Sequence, residues 1–345
     1  MSLISLKQLL DYAADHNFGM PAFNVNNIEQ IKAVMQAAYK VNSPVIMQAS
    51  SKAWTYAGNS FLKKMFEAAL EEYPRIPVCI HQDHGADLKI CMHAVNNGFS
   101  SVMIDGSLLE DGKTPSSYEY NLNITKKVVE KAHKTGVSVE GELGCLGSLE
   151  TMKAGEEDGH GSSVILDKCQ LLTDPNQAKD FVDYTNVDAL AVAIGTTHGA
   201  YKFSKPPTKE VLDIDRIIKI NKKIPNTHLV LHGSSSIEKK WLKIIRENGG
   251  EIDNTYGVPI KEITTCIKNG VRKINIDTDI RLAMTAGIRR AMNNKKNIFD
   301  IRYFLKEAIY CAQEVCEDRF IKFGSTEHAD KIKPKSLINI AKTYE

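Results

Sequence analysis

The sequence predicts an α/β fold, a (β/α)8 TIM barrel with extra helices at the N and C termini. Two observations lead to this prediction: eight short apolar runs alternate without a break with amphipathic helical segments, and most of the runs are apolar throughout. Continuous apolarity indicates strands that are buried on both faces, as parallel strands covered by helices are. Such a barrel takes about 250 residues. The 345-residue chain accommodates it as a single domain, residues 1–345, with terminal helices and a long loop.

The predicted elements follow one another in a regular order. The strands are runs of β-branched or other apolar residues at positions 21–25, 45–50, 78–83, 101–105, 138–142, 189–195, 228–232 and 271–277. Apolar residues at i, i+3, i+4 and i+7 predict helices between them, at 28–41, 61–73, 89–97, 118–135, 176–185, 213–222, 239–248 and 260–269. Further helices are predicted near 6–15 and within 299–320 and 336–344.

Signals at the helix ends support these boundaries. Asp174 precedes Pro175, which predicts an aspartate N-cap, and Ser235 to Glu238 has the S-x-x-E form of a capping box. Glycines occur where three of the helices must stop before the next strand: Gly98, Gly136 and Gly270. The alternative fold is an open doubly wound sheet. It would normally have a glycine-rich phosphate fingerprint after an early strand, and neither G-x-G-x-x-G nor G-x-x-x-x-G-K-[ST] occurs in the sequence.

Composition narrows the class of protein. The formal net charge is only +2, from 44 basic and 42 acidic residues, which argues against nucleic acid or an anionic membrane as partner. The N-terminus lacks the features of a signal peptide, and no apolar run approaches the roughly 20 residues that span a bilayer. Seven cysteines without a C-x-x-C pair are typical of reduced thiols. We expect a cytoplasmic globular protein.

Polar residues collect at the ends of the last six predicted strands. In a barrel these C-terminal ends meet at one mouth, where enzymes of this fold keep their active sites. The strand ends are His81-Gln82-Asp83-His84-Gly85, Asp105-Gly106, Glu140-Gly141-Glu142, Thr196-Thr197-His198-Gly199, His232-Gly233-Ser234-Ser235-Ser236 and Asn275-Ile276-Asp277-Thr278-Asp279. Six converging polar ends indicate a functional site.

Three of these ends offer a histidine followed by glycine: His84, His198 and His232. Three imidazoles from separate strands are a typical ligand set for a catalytic Zn²⁺ that keeps one position open for substrate. The alternative is three hydrogen-bonded histidines at a polar mouth. Two further features are candidates for proton transfer, ligation or a second cation: the carboxylate of Asp83 beside His84, and the acids Asp105 and Glu142.

Phosphate binding is predicted after strands seven and eight, where this fold commonly places it. The turn from Gly233 to Ser236 and the segment from Asn275 to Thr278 supply backbone N–H groups and hydroxyls. A serine-rich turn is otherwise a common helix cap. The segment 144–163 is rich in glycine and acids and is interpreted either as a mobile lid or as a solvated surface loop.

Together these motifs resemble the class II, zinc-dependent fructose-1,6-bisphosphate aldolases, and within them the bacterial subgroup that includes the Calvin-cycle enzymes. The resemblance extends from Leu6 to about Phe323 and is strongest in His81-Gln-Asp-His-Gly85, Glu140-Gly-Glu-Leu-Gly-Cys-Leu-Gly147, Gly195-Thr-Thr-His-Gly199, His232-Gly-Ser-Ser-Ser236 and Asn275-Ile-Asp-Thr-Asp279. It implies reversible cleavage of fructose 1,6-bisphosphate to dihydroxyacetone phosphate and glyceraldehyde 3-phosphate, with one Zn²⁺ per subunit stabilising the ene-diolate.

The resemblance also implies roles for individual residues. The zinc ligands would be His84, His198 and His232, and Asp105 and Glu142 would serve a second divalent or monovalent cation. Asp83 matches the proton donor, and Glu150 matches an acid that moves protons at the other carbon. Dihydroxyacetone phosphate would contact Gly199, Gly233, Ser234, Ser235, Asn275, Ile276, Asp277 and Thr278, and glyceraldehyde 3-phosphate would contact Ser50. The resemblance does not identify the cation at the distal phosphate, for which Arg281, a few residues past the phosphate segment, and Arg319 are candidates from the sequence.

Other functions remain open on the sequence alone. A tagatose 1,6-bisphosphate aldolase differs at one stereocentre of its substrate, and a metal-dependent hydrolase would use the same barrel with zinc-bound hydroxide. A non-catalytic metal-binding role is a third alternative. The resemblance further implies a homo-oligomer, a dimer or larger.

Overall fold

The computed structural model describes residues 2–144, 147–148, 153–154, 156–157, 160–161, 171–197, 203 and 210–345. Within them, eight parallel strands form a closed barrel in which strands adjacent in the chain are adjacent in space and the last pairs with the first. The strands are β1 (Met20–Asn24), β2 (Val45–Ala49), β3 (Val78–Gly85), β4 (Ser101–Ile104), β5 (Ser138–Leu143), β6 (Ala189–Val192), β7 (His228–Leu231) and β8 (Val271–Ile276). The predicted (β/α)8 barrel is confirmed.

Helices surround the barrel and extend both ends of the chain. They are α1 (Leu6–Asp15), α2 (Ile28–Lys40), α3 (Ser51–Ala57), α4 (Asn59–Glu72), α5 (Leu88–Asn96), α6 (Tyr118–Ala132), α7 (Pro175–Thr185), α8 (Ile214–Lys223), α9 (Lys239–Glu247), α10 (Ile260–Lys268), α11 (Thr278–Asn294), α12 (Ile301–Phe323) and α13 (Leu337–Ala341). Two short antiparallel pairs lie in the segment after β5, Gly147–Ser148 with Lys153–Ala154 and Glu156–Glu157 with His160–Gly161.

Two helices were not expected from the sequence. The seven-residue α3 follows β2 directly, with the Ser50 side chain accepting the Ala53 N–H as its N-cap. The 17-residue α11 begins immediately after β8 and packs against α12. Its buried face is built partly from small residues, which weakens the apolar periodicity. Gly287 shows why they are needed, because a Cβ there would lie 2.7 Å from the Glu307 carbonyl oxygen of α12.

Of the two predicted helix N-caps, one is confirmed and one is wrong. Asp174 does cap α7, since its side chain accepts the N–H groups of Asn176 and Gln177. The capping box at Ser235 is wrong: α9 begins at Lys239, its N-cap is Glu238, and no side chain caps it. The Glu238 carboxylate instead pairs with Arg319 and Lys240.

The barrel interior changes character from bottom to top. Near the N-terminal ends of the strands it is filled by apolar side chains such as Met20, Ile46 and Cys79, which pack against α1. Further along the same strands the inward positions become polar: Gln48 lies two residues after Ile46, and Asn24 lies four residues after Met20. Helix α1 therefore closes the lower end, and the polar groups lie at the mouth.

Three other properties of the described residues bear on the predictions. The described cysteines are free and buried: Cys79, Cys91, Cys266, Cys311 and Cys316. No helix in the described part of the chain is long and apolar enough to span a bilayer. Tyr344, after α13, stacks on His133 with 3.6 Å between ring centroids and donates to Asp188, which ties the C-terminal segment to the lower end of the barrel.

Substitution of two glycines with positive φ tests how tightly α13 is packed, because only one of them lies against this helix. Gly136 (φ 75°) lies against α13, and a Cβ there would overlap the Leu337 carbonyl oxygen, whereas Gly98 (φ 87°) has open space at its Cβ position. We expect Gly98→Ala to cost about 1–2 kcal/mol for the left-handed backbone. Gly136→Ala should cost about 1–3 kcal/mol more because of overpacking. Urea unfolding of both variants measures the difference, and equal losses would contradict this packing.

Candidate active site

His84 is placed by an irregularity at the end of β3. Its φ is 46°, in the left-handed region that non-glycine residues rarely adopt. The pairing of β3 with β4 also shifts register between Gln82 and Gly85. Such a bulge re-aims the side chain that it contains. The imidazole Nδ1 lies 3.0 Å from Asp105 Oδ2, and Nε2 lies 2.9 Å from Nδ1 of His232.

Five buried side chains converge at this point in two overlapping groups. Asp83, His84 and His232 form one, and His84, Asp105 and Glu142 form the other, with the potential ligand atoms of each group within 4.8 Å of one another. The residues come from the ends of β3, β4, β5 and β7, so the convergence of strand ends predicted from the sequence is realised for this set. His84 belongs to both groups and joins the two candidate cation positions.

A fully buried ion pair lies below these groups. Lys273 Nζ is 2.9 Å from Glu140 Oε2, and neither side chain is exposed to solvent. The other carboxylate oxygen of Glu140 is 2.8 Å from His232 Nε2. A carboxylate on one imidazole nitrogen orients the ring and leaves the other nitrogen available to a ligand. Glu140 thereby directs Nδ1 of His232 toward His84.

Asp83 is held from both sides by amides. Asn24 donates to its Oδ2 at 2.7 Å, and Asn275 donates to its Oδ1 at 3.2 Å. Gln48 Nε2 donates a hydrogen bond to Asn24 Oδ1 at 2.7 Å, and Lys273 Nζ donates one to Asn275 Oδ1 at 2.8 Å. Asp83 is only 4% exposed, and this hydrogen-bond network fixes the position of its carboxylate.

The site has an excess of buried negative charge. Asp83, Asp105, Glu140 and Glu142 are each at most 4% exposed, and among the described residues the fully buried Lys273 pairs with one of them, Glu140. Burial, followed by the neighbouring Asp105, raises the pKa of Glu142 well above its ordinary value. The Oε2 atom of Glu142 has no hydrogen-bond partner among the described residues.

Two further pKa shifts each favour the charged form of the side chain, although one pKa is raised and the other is lowered. Burial alone would lower the pKa of His84, but Asp83, Asp105 and Glu142 outweigh it and raise the pKa to about 10. Burial would likewise raise the pKa of Asp83, yet His84, His232 and Lys273 lower it. The acids therefore create a negative potential at His84. A divalent cation fits this donor set, because carboxylate oxygens and imidazole nitrogens suit Zn²⁺ and would neutralise the excess charge.

The predicted phosphate segments lie together beside this cluster. Gly233 has φ of 60°, and a Cβ there would lie 2.5 Å from the Thr197 carbonyl oxygen, so close approach of the chain requires glycine. The Ser234 hydroxyl lies 3.3 Å from the Asn275 carbonyl oxygen, which joins the loop after β7 to the end of β8. Ser235 is buried nearby, Ile276 ends β8, and Thr278 begins α11.

Some predicted residues are placed differently or lie outside the described part. Ser50 is buried at the end of β2 as expected, but its hydroxyl also caps α3. Asp277 Oδ1 lies 2.7 Å from Nε of Arg281, whose side chain is 41% exposed. Arg319 as a phosphate-binding cation is wrong, because its side chain is fully buried against Asp279. His198, Gly199 and Glu150 lie outside the described residues.

Four residues of the site were given no role from the sequence, although Glu140 lies in one of the polar strand ends. Asn24 and Gln48 lie at the ends of β1 and β2, so the strand-end argument applied to the other six strands would have found them. Lys273 and Glu140 are charged residues inside strands in which every residue is buried. A charge at such a position is rarely tolerated unless paired, which is the signal that could have identified them.

The comparisons with known proteins agree with this geometry. The family described as fructose-bisphosphate aldolase class-II matches residues 4–328. The chain belongs to the class II fructose-bisphosphate aldolase family. Fructose-bisphosphate aldolase of Xanthobacter flavus is 58% identical over 344 residues, covering 100% of this chain and 97% of the relative. The plasmid-borne aldolase of Cupriavidus necator is 56% identical, with 100% of both chains covered.

Solved structures of the aldolase family share the fold. A putative fructose-1,6-bisphosphate aldolase from Coccidioides immitis superposes with a TM-score of 0.73 at 27% identity, covering 94% of this chain and 97% of the other. The YdjI aldolase from Escherichia coli K12 has a TM-score of 0.71 at 26% identity, with 95% and 99% covered. The resemblance seen in the sequence motifs is confirmed at the level of the family.

The buried pair below the site can be tested by a charge-matched double substitution. Lys273→Met alone leaves Glu140 buried without its cation, which should cost about 3–5 kcal/mol of stability. Lys273→Met combined with Glu140→Gln removes both charges and should recover most of that loss. Urea unfolding in the presence of chelator measures both variants without a contribution from bound metal. A double variant as unstable as the single one would contradict the pairing.

Proposed function

We propose that the protein catalyses reversible aldol cleavage of fructose 1,6-bisphosphate to dihydroxyacetone phosphate and glyceraldehyde 3-phosphate. The observation that supports this most is the buried cluster of two histidines and three carboxylates beside the loops after β7 and β8. A cation site and an adjoining loop rich in N–H groups and hydroxyls suit a phosphorylated ketose. The names of full-length relatives that are 56–58% identical support the same activity.

The metal we propose is Zn²⁺, held by His84, His232 and His198, with Asp105 and Glu142 serving a second divalent or monovalent cation. When bound, zinc polarises the ketose carbonyl and stabilises the negative charge that develops on its oxygen as the C3–C4 bond breaks. The donor types support zinc over a hard cation, because imidazole nitrogen ligands favour it.

Asp83 is the group we propose for proton transfer at the C4 hydroxyl. Its lowered pKa keeps the carboxylate ionised, as a base for cleavage must be. Asn24 and Asn275 fix both of its oxygens, so the carboxylate need not reorganise when substrate arrives. In cleavage it takes the hydroxyl proton and glyceraldehyde 3-phosphate leaves; in condensation it returns that proton. We assign protonation of the remaining carbon to Glu150.

The substrate phosphate and sugar are proposed to contact the loops after the last strands. Gly199, Gly233, Ser234 and Ser235, together with residues 275–278, would bind dihydroxyacetone phosphate. The start of α11 at Thr278 supports this, since the N-terminus of a helix attracts anions through its free N–H groups and its dipole. Ser50 would contact glyceraldehyde 3-phosphate.

We further propose that the enzyme is a cytoplasmic homo-oligomer, a dimer or larger, acting on small sugar phosphates and not on nucleic acid or membranes. Light scattering during gel filtration measures the mass of the assembly.

Removal of metal tests the proposed activity. We expect cleavage of fructose 1,6-bisphosphate in a coupled assay, loss of that activity with EDTA, and its return with Zn²⁺. Activity that survives exhaustive metal removal and is trapped by borohydride would indicate a Schiff-base lysine and refute the histidine site. Faster cleavage of tagatose 1,6-bisphosphate in the same assay would refute the substrate assignment.

Replacement of Asp83 tests its role in proton transfer. Asp83→Asn should lower kcat by about 10²–10⁴-fold, because a positioned general base contributes about that factor. Zinc content, measured by atomic absorption, should stay at the wild-type level. Asp11→Asn is the matched control, since Asp11 pairs with Lys7 and His228 near the lower end of the barrel. If Asp83→Asn lost zinc in proportion to activity, Asp83 would be a ligand instead.

A further inference from the structure

The loop that follows β7 contains a strained residue. Ile237 has φ of 51° and is only 3% exposed. For an L-residue this left-handed conformation costs roughly 1–2 kcal/mol, and a β-branched residue adopts it very rarely. Backbone strain of this kind persists only where surrounding contacts determine the conformation. The contacts around Ile237 therefore show what holds the loop in place.

The principal contact is the carboxylate of Asp279. Its Oδ1 accepts the Ile237 N–H at 2.8 Å, and its Oδ2 accepts the Ser236 N–H at 3.1 Å. Asp279 is 1% exposed, so both are charge-assisted hydrogen bonds shielded from water. Two consecutive backbone N–H groups on one carboxylate determine the local backbone conformation, including the positive φ.

Arg319 of α12 supports Asp279 from behind. Its Nη2 lies 3.1 Å from Asp279 Oδ2 and 3.2 Å from Glu238 Oε1, and its side chain has no exposed surface. Nη1 also pairs with Asp318. The guanidinium compensates the buried aspartate and links it to Glu238, the residue that follows Ile237. The carboxylate therefore cannot turn away from the loop without losing its cation.

The position of Asp279 in the chain gives this arrangement its importance. Asp279 lies in the first turn of α11, one residue after Thr278, while the N–H groups that it accepts belong to the loop after β7. The Asp279 side chain thus ties the start of α11 to Ser236 and Ile237. These two residues directly follow residues 233–235, so the side chain links the two segments proposed to bind the substrate phosphate, residues 233–235 and 275–278. The Val258 N–H, which reaches the Ser235 carbonyl oxygen at 3.2 Å, fastens the same loop from a third side.

We propose that Asp279, supported by Arg319, is a positioning residue for phosphate binding, which holds the loop after β7 and the start of α11 in one preorganised arrangement. This proposal rests on the proposed function, because the two segments are those assigned to the substrate phosphate. Neither residue needs to touch the substrate. Holding the loop in its binding conformation before the ligand arrives removes an ordering cost from binding.

Substitution of Asp279 is the first test. Asp279→Asn keeps the size of the side chain but loses its charge and one acceptor. We expect the KM for fructose 1,6-bisphosphate to rise about tenfold, as loss of charge-assisted hydrogen bonds would cause. The kcat should change by less than about threefold, because uniform binding is removed while the reacting groups stay in place. Calorimetric titration with inorganic phosphate should show an affinity lower by a similar factor.

Relief of the backbone strain separates positioning from general stability. Glycine adopts positive φ without steric cost, so Ile237→Gly combined with Asp279→Asn should recover part of the lost affinity although it removes buried apolar surface. Ile237→Gly alone should lower Tm and leave the phosphate affinity within about twofold of wild type. If Asp279→Asn does not fold, Arg319→Lys, which keeps the charge, is compared in the same way with its own Ile237→Gly double variant.

The outcomes distinguish this inference from the proposed function. Wild-type KM and phosphate affinity in Asp279→Asn would overturn the positioning role, as would a variant whose only defect is a lower Tm. A double variant with no recovered affinity would also overturn it, because the strain at Ile237 would then be irrelevant to binding. Failure of the wild-type protein to cleave fructose 1,6-bisphosphate would refute the proposed function alone, and the phosphate titrations would still decide the role of Asp279.

Discussion

The buried ion pair between Glu140 and Lys273 is the interaction on which the mouth of the barrel depends. Glu140 orients His232, Lys273 fixes Asn275, and Asn275 in turn holds Asp83. Without the lysine, the interior would contain several carboxylates at 4% exposure or less with far less compensation. Desolvation of such charges is costly unless they are paired or bind a cation. The pair therefore makes a strongly acidic cation site compatible with a folded barrel.

Strained backbone and buried carboxylates occur together near the site. Two described non-glycine residues with positive φ lie at or beside the site, His84 and Ile237, and each is in contact with a buried carboxylate. At Ile237 an aspartate accepts the backbone N–H, and at His84 an aspartate faces the imidazole. The lower end of the barrel, filled by apolar side chains and closed by α1, supplies the rigidity against which these strained segments are held.

Sequence periodicity predicted the strands and most helices because those features are local. All eight strands were predicted, and α11 was missed because Ala283, Ala286 and Gly287 weaken its apolar face. The false capping box at Ser235 had a similar origin: the motif is local, but the Glu238 carboxylate is engaged by Arg319, some 81 residues away in the chain. Asp83, His84 and His232 could be identified from the polar strand ends, because the C-terminal ends of all parallel strands in a closed barrel lie at the same mouth.

Motifs and periodicity are properties of neighbouring positions, so the family, the barrel and most of the polar residues at its mouth could be predicted from the sequence. How those residues are paired could be seen only in the folded barrel. Arg319 illustrates the difference: as a sequence position it suited a phosphate-binding cation, and in the fold it is fully buried beside Asp279. Pairing depends on distances across the barrel between residues far apart in the chain, and such distances exist only once the strands have closed.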